Sequence, residues 1–109
     1  MTRKDLFPGA QIAQSLHAFR EFIEDYPDLE KEWYSKSNHI AILAAKNEAE
    51  LLRLSKRLEK KGIKHSLFGE PDFDNELTAI AIEPGRESKR ACSSYPLALK
   101  SVSLGGNMG

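Results

Sequence analysis

Apolar residues recur at Ile12, Leu16, Phe19, Ile23 and Tyr26, at spacings of 4, 3, 4 and 3. That period predicts an amphipathic helix over 10–26 with this stripe buried. Gly9 is its expected N-cap, following the pre-set turn at Pro8, and Pro27 is its stop. Residues 28–33 are expected to add a short helical turn, with Trp33 folded back on the body. The run His39-Ile40-Ala41-Ile42-Leu43-Ala44-Ala45 is apolar without alternation, which predicts a strand over 39–45 covered on both faces. Asn47 with Glu50 three residues later fits a capping box for a second helix. Leu51, Leu54 and Leu58 supply its buried stripe. Lys60 and Lys61 suit its negative end, and Gly62 suits a left-handed C-cap. Residues 63–68 and 77–82 read as strands separated by an acidic loop over 69–75. Pro84-Gly85 ends the second of these strands. Residues 86–92 read as a short helix, 93–96 as a turn, and 97–99 as a segment packing back on the body. The order helix, strand, helix, strand, strand, helix predicts an α/β layer architecture with helices on both faces of a small sheet.

The chain has 109 residues, which suits one domain, expected over 1–100, with a Gly- and Ser-bearing tail over 101–109 expected to be mobile. Sixteen Lys and Arg balance sixteen Asp and Glu, which excludes a globally basic nucleic-acid binder but not a local basic patch. The single cysteine, Cys92, excludes a disulfide framework and a zinc site built on several thiolates. No apolar run approaches the roughly 20 residues of a membrane span, and the first residues lack the apolar core of a signal peptide. A cytoplasmic location is expected. Charge is uneven along the chain: residues 20–32 carry six acids and two bases, 46–64 seven bases and three acids, and 70–83 five acids and no base. The plain reading of each run is a solvated face. The sharper reading of the basic one is a helix that tracks a phosphate backbone, through Arg53, Lys56, Arg57 and Lys60 with Lys4.

No Walker loop, dinucleotide fingerprint, nucleophile elbow or zinc-protease helix is present. The three histidines are dispersed, so a histidine-based metal site is not expected. A polar cluster remains at the start of the first helix: Gln11, Gln14, Ser15 and His17. Gln14 and His17 are three apart and share a helical face, where a histidine serves equally as a packing residue. Cys92 reads as a small buried hydrophobe, and Ser93-Ser94 as turn chemistry.

Four segments, in this order, resemble the second-type peptidyl-tRNA hydrolases, the class named from archaea and eukaryotes. Arg3-Lys4-Asp5-Leu6 is similar to the end of that family's first strand. Gly9-Ala10-Gln11-Ile12-Ala13-Gln14-Ser15-Leu16-His17-Ala18 is similar to its helix start, Gly-Lys-x-Ala-Ala-Gln-Cys-Ser-His-Ala. Pro27-Asp28-Leu29 to Trp33 resembles its Pro-Glu-Leu…Trp segment. Leu77-Thr78-Ala79-Ile80-Ala81-Ile82-Glu83-Pro84 resembles its Thr-x-Leu-Ala-Ile-Gly-Pro strand. The resemblance implies a three-layer α/β/α sandwich around a small mixed four-stranded sheet, commonly as a homodimer. It also implies hydrolysis of the ester between a peptide and the 3′ ribose of tRNA, without a metal or organic cofactor.

By the same resemblance Gln14, His17, Glu70 and Thr78 fall on the family's catalytic positions, Glu70 standing where the family carries an aspartate. The slot of the family's catalytic lysine holds Ala10, with Lys4 the nearest substitute. The alternative function is a domain of the same fold, impaired in catalysis, that binds tRNA, another nucleic acid or a protein. Only Met1 and Thr2 precede Arg3, where the family has a longer interior strand. The expectation is an upstream start, or a stunted first strand whose gap a dimer covers.

Overall fold

Local pattern is strongest in the helix α3 (Glu48–Lys60), and there the chain folds as its sequence dictates. The Asn47 side chain accepts the Glu50 backbone N–H at 3.1 Å, and the Glu50 carboxylate accepts the Lys46 N–H at 2.9 Å, so two exposed donors are satisfied. Leu51, Leu54 and Leu58 are fully buried, each contributing about 1.5–3 kcal/mol by leaving water. Gly62, at φ 70°, makes the left-handed exit.

The computed structural model describes residues 1–100; the tail expected over 101–109 lies outside the described residues. Its four strands are β1 (Thr2–Arg3), β2 (Ala44–Ala45), β3 (His65–Glu70) and β4 (Glu76–Ile82), in the sheet order β2-β1-β4-β3. β1 and β2 are parallel, and β4 runs antiparallel to both β1 and β3. The other helices are α1 (Pro8–Asp25), α2 (Pro27–Lys36) and α4 (Arg86–Ala91). α1 lies over β3 and β4 on one face; α3 lies over β4, β1 and β2 on the other. This is an α/β/α sandwich on a mixed four-stranded sheet.

Strand direction has one consequence for function. β1, β2 and β3 run the same way and β4 the opposite way. The carboxyl ends of β1, β2 and β3, the start of β4 and the starts of α1 and α3 therefore gather at one end of the sheet. No helix among the described residues is long and apolar enough to cross a membrane.

Several expectations need correction. The buried face of α1 is Gln11, Gln14, Ala18 and Phe22, while Ile12 and Leu16 are 47% and 61% exposed. The apolar stripe is one residue out of phase with the buried one, about 100° around the helix. Two things rotate it. The lower part of the stripe turns to α2, where Phe19 meets Trp33 edge to face at 5.6 Å. The upper part of the sheet-facing side is polar because it meets polar groups of β3 and β4. The N-cap of α1 is Phe7, with Pro8 at its first helical position, not Gly9. The turn expected over 28–33 is the ten-residue helix α2.

The strand expected over 39–45 shrinks to Ala44–Ala45, and Ile40 is exposed. Asn38, at φ 52°, turns the chain, and Trp33 Nε1 donates to the His39 carbonyl at 2.7 Å instead of leaving it to a neighbouring strand. Residues 97–99 do pack back, and they close the outer edge of β2. Ala44 N–H donates to the Pro96 carbonyl at 2.9 Å, and Ala98 N–H to the Ile42 carbonyl at 2.7 Å. β1 is short yet paired on both sides: Thr2 N–H donates to Leu43, Lys4 N–H to Ala45, and Ile80 N–H to Met1, each at 2.8 Å. The loop expected from residue 69 begins later. β3 runs through Glu70, and Pro71–Phe73 form a 3-10 turn.

Candidate active site

The centre of the site is a break in the β3–β4 ladder. Phe68 stands opposite Ala79, but the next residue, Gly69, stands opposite Leu77. Thr78 is thus the extra residue of a β-bulge, a device that re-aims a side chain. Leu77 and Ile80, three apart, both pack into the core against α3, which plain alternation forbids. Thr78 is turned the other way, towards α1, and is fully buried.

The backbone groups around the bulge are taken up by side chains. Leu77 N–H donates to the Glu48 carboxylate at 2.8 Å, and Arg3 Nη1 donates to the Leu77 carbonyl at 3.2 Å. The Thr2 hydroxyl donates to the Thr78 carbonyl at 3.2 Å. Arg3 is itself buried. Its fork grips Asp5 at 3.0 and 2.9 Å, and Nη1 also reaches Glu76 at 2.6 Å. The Arg3 hydrogen bonds hold the Asp5 carboxyl below its usual range.

From Thr78 a chain of hydrogen bonds runs to a carboxylate. The Thr78 hydroxyl lies 2.7 Å from Gln14 Oε1, and Gln14 Nε2 lies 2.8 Å from Glu70 Oε2. The direction is forced by chemistry. An ionised carboxylate only accepts, so the Gln14 amide must face it with N–H; its oxygen then faces Thr78, which must donate. Gln14 as a residue is only 7% exposed, so its amide has little freedom to turn. Among the described residues the second Glu70 oxygen accepts one hydrogen bond, from the Asp72 N–H at a long 3.3 Å. Glu70 is half-buried at the end of β3, where the hairpin is tight: Asp74 and Asn75 both have positive φ, and a Cβ on Gly69 would meet the Asn75 carbonyl oxygen at 2.8 Å. A carboxylate fixed through one oxygen and only weakly engaged at the other can take a proton from a water molecule.

Of the residues picked from the sequence, Gln14, Glu70 and Thr78 are therefore brought together by hydrogen bonds. His17 flanks them. Its ring stacks on Phe68 at 4.6 Å and 14°, and among the described residues neither ring nitrogen has a hydrogen-bond partner. Ala10 sits in the first turn of α1 and offers no side-chain donor. Lys4, Arg53 and Arg57 line a separate cleft of about 320 Å³, together with Lys46, on the α3 side of the same sheet end. Lys56 and Lys60 share the solvent face of α3 with Arg53 and Arg57 but do not line that cleft. Among the described residues no three His, Cys, Asp or Glu side chains gather where they could hold a metal ion. Cys92 is buried, and burial pushes its thiol up, away from the reactive thiolate.

Sequence reasoning missed Arg3, Asp5, Glu48 and Glu76. One signal was available: Arg3 and Asp5 carry opposite charges two residues apart, where the chain leaves β1 in a turn. Nothing local marks Glu48, whose partner lies 29 residues away.

A small mixed sheet between helices carries a buried polar relay that ends on a carboxylate at the strand ends. A scan against protein-family models matches the family described as Peptidyl-tRNA hydrolase PTH2 over residues 3–95. That span is most of the chain, and the chain belongs to this family. A search of curated proteins found no match.

Proposed function

We propose that this protein hydrolyses the ester joining a peptide to the 3′ ribose of tRNA, with Glu70 as general base. The observation that carries the proposal is the Thr78–Gln14–Glu70 relay, which fixes one carboxylate oxygen while the other, with one long contact to the Asp72 N–H, keeps a lone pair for a water proton. In this reading a water gives its proton to Glu70 while its oxygen bonds to the ester carbonyl carbon. The tetrahedral intermediate then collapses, the bond to the ribose 3′ oxygen breaks, and that oxygen takes the proton from Glu70. Negative charge develops on the carbonyl oxygen. The first-turn N–H groups of α1, at Gly9 and Ala10, lie outside the helix's own hydrogen bonding and face the same end of the sheet. They supply donors and a positive dipole end where the family's lysine is replaced by Ala10. Gln14 and Thr78 act as positioning residues, and the His17–Phe68 stack forms a wall. The basic residues Lys4, Arg53, Lys56, Arg57 and Lys60 attract the tRNA backbone.

Single-turnover release of peptide from a model peptidyl-tRNA tests the reading. Glu70→Gln keeps the shape and an acceptor for Gln14 but cannot take the proton. It is expected to lose about 10²–10⁴-fold in rate, the range of general acid–base catalysis. Full activity in Glu70→Gln, or no turnover by the wild type at high protein concentration, overturns the proposal.

A further inference from the structure

The cleft on the α3 side is not accounted for by the relay. It opens where β1 and β2, neighbouring parallel strands, end. The helix after β1 leaves to one face of the sheet and the helix after β2 to the other. Such a divergence leaves a crevice outside the carboxyl ends of the strands, where α/β sheets bind ligands. The volume, about 320 Å³, is at the small end of the range for ligand sites, roughly 300–1,000 Å³.

The lining is cationic. Lys4, Lys46, Arg53 and Arg57 face one carboxylate, Glu50, whose Oε1 is already engaged by the Lys46 backbone N–H at 2.9 Å. None of the four cations has a salt-bridge partner among the described residues, although ion pairs form elsewhere on the surface. Arg57 is held in place: its Nη2 donates to the Tyr95 hydroxyl at 3.0 Å. Ser94 and Tyr95 add hydroxyl donors to the rim. A donor-rich cavity with unpaired guanidinium groups is matched by an anion with several acceptor oxygens.

We infer that this cleft is an RNA phosphate site, seating a backbone phosphate next to the scissile end of the tRNA. The inference rests on the hydrolase reading only for the identity of the RNA. Lys4 links the two places: its side chain lines the cleft, while its carbonyl lies 3.5 Å from Gln11 Nε2, one helical turn before Gln14. A phosphate gripped in the cleft therefore anchors the nucleic acid at the sheet end that carries Glu70.

The test uses the full chain, a fluorescein-labelled single-stranded RNA heptamer ending in CCA, and inorganic phosphate. Fluorescence anisotropy across a salt series should show binding by the wild type. The Arg53→Gln/Arg57→Gln variant should bind at least about tenfold more weakly, and its log–log salt slope should flatten by about 1.4, for two phosphate-neutralising charges on single strands. Arg53→Gln/Lys46→Gln, which leaves the Arg57–Tyr95 contact intact, should behave alike and guards against a folding artefact. Lys31→Gln on α2 should bind as the wild type does. Phosphate should shift the Arg53 and Arg57 side-chain NMR resonances where chloride of equal ionic strength does not. Unchanged affinity and slope in both double variants overturns the inference, as does tighter binding of a glutamate-rich peptide than of the RNA. The two proposals fail separately. RNA binding through the cleft without ester turnover removes the hydrolase reading alone. Turnover whose KM for peptidyl-tRNA ignores both double variants removes the cleft alone.

Discussion

Thr78→Val removes one hydroxyl and keeps the β-branched shape, so it isolates the first link of the relay. In the wild type that hydroxyl donates to Gln14 Oε1 at 2.7 Å inside a fully buried site. The variant strands the Gln14 oxygen, and leaves the Phe68 carbonyl without its 3.2 Å contact from the same hydroxyl. A buried acceptor left without a partner costs about 1–3 kcal/mol. Taking about 2 kcal/mol and a urea slope of about 1.5 kcal/mol/M, the unfolding midpoint should fall by about 1.3 M. Gln14→Leu should be destabilising for the same reason, since it strands Thr78 and Glu70. In the double variant the Thr78–Gln14 mismatch is gone, so its cost should fall short of the sum by about 1–2 kcal/mol. Without the Thr78 hydroxyl the Gln14 amide keeps its N–H on Glu70 but loses the contact that anchors its other end, so the amide and the carboxylate it holds shift together. Misplacement of this kind costs on the order of 10²-fold in turnover, expected in kcat and not in KM. Thr78→Ser keeps the hydroxyl and should restore most of the rate. Additive destabilisation in the cycle, or a Thr78→Val enzyme with wild-type kcat, would refute the relay.

Gly69→Ala places a methyl 2.8 Å from a backbone oxygen, that of Asn75. The hairpin must open, which is expected to lower stability by about 1–3 kcal/mol in thermal unfolding and to displace the adjoining Glu70 enough to depress turnover; an unchanged melting temperature would contradict the tight hairpin. Asp5 titrates below its usual 3.8 because Arg3 grips it in the folded chain. Its contribution to stability is therefore complete above pH 3.8 and fades as pH falls through the lower folded value. Urea midpoints should separate wild type from Asp5→Asn more at about pH 5 than at about pH 2.5; a gap that widens on acidification would reverse the assignment.

What was legible in the sequence was what short-range physics decides. The cap at Asn47, the leucines of α3 and the exit at Gly62 are settled by neighbours within one or two turns. The hairpin strands were legible too, though not their register. A bulge at Thr78 has no local signature, because it depends on how Gly69 packs against Asn75 and on Glu48 and Arg3 reaching the freed backbone from elsewhere. β2 was overread for the same reason. Seven residues of even hydrophobicity look like a buried strand, but the turn at Asn38 and the Trp33 bond to the His39 carbonyl take the first of them out of the sheet.

The misphased stripe on α1 carries the most information. Hydrophobic periodicity assumes that the face against the sheet is apolar, and α1 breaks that rule only at its N-terminal end, where Gln11 and Gln14 are buried, while Ala18 and Phe22 keep it below. The neighbouring strands break it at the same level: Thr2 and Thr78 are fully buried, and Arg3 nearly so. The Gln11 Oε1 atom even lacks a partner among the described residues. Stability alone would favour apolar groups at each of these positions. A fold that concentrates its buried polar groups at one end of one sheet, and ties Thr78, Gln14 and Glu70 together there, has given up apolar packing at that end, as the proposed role of Glu70 requires. The misphased helix pattern and the position of the proposed site thus share one cause, and a helix whose apolar stripe turns away from its sheet is a reason to look for chemistry under its polar side.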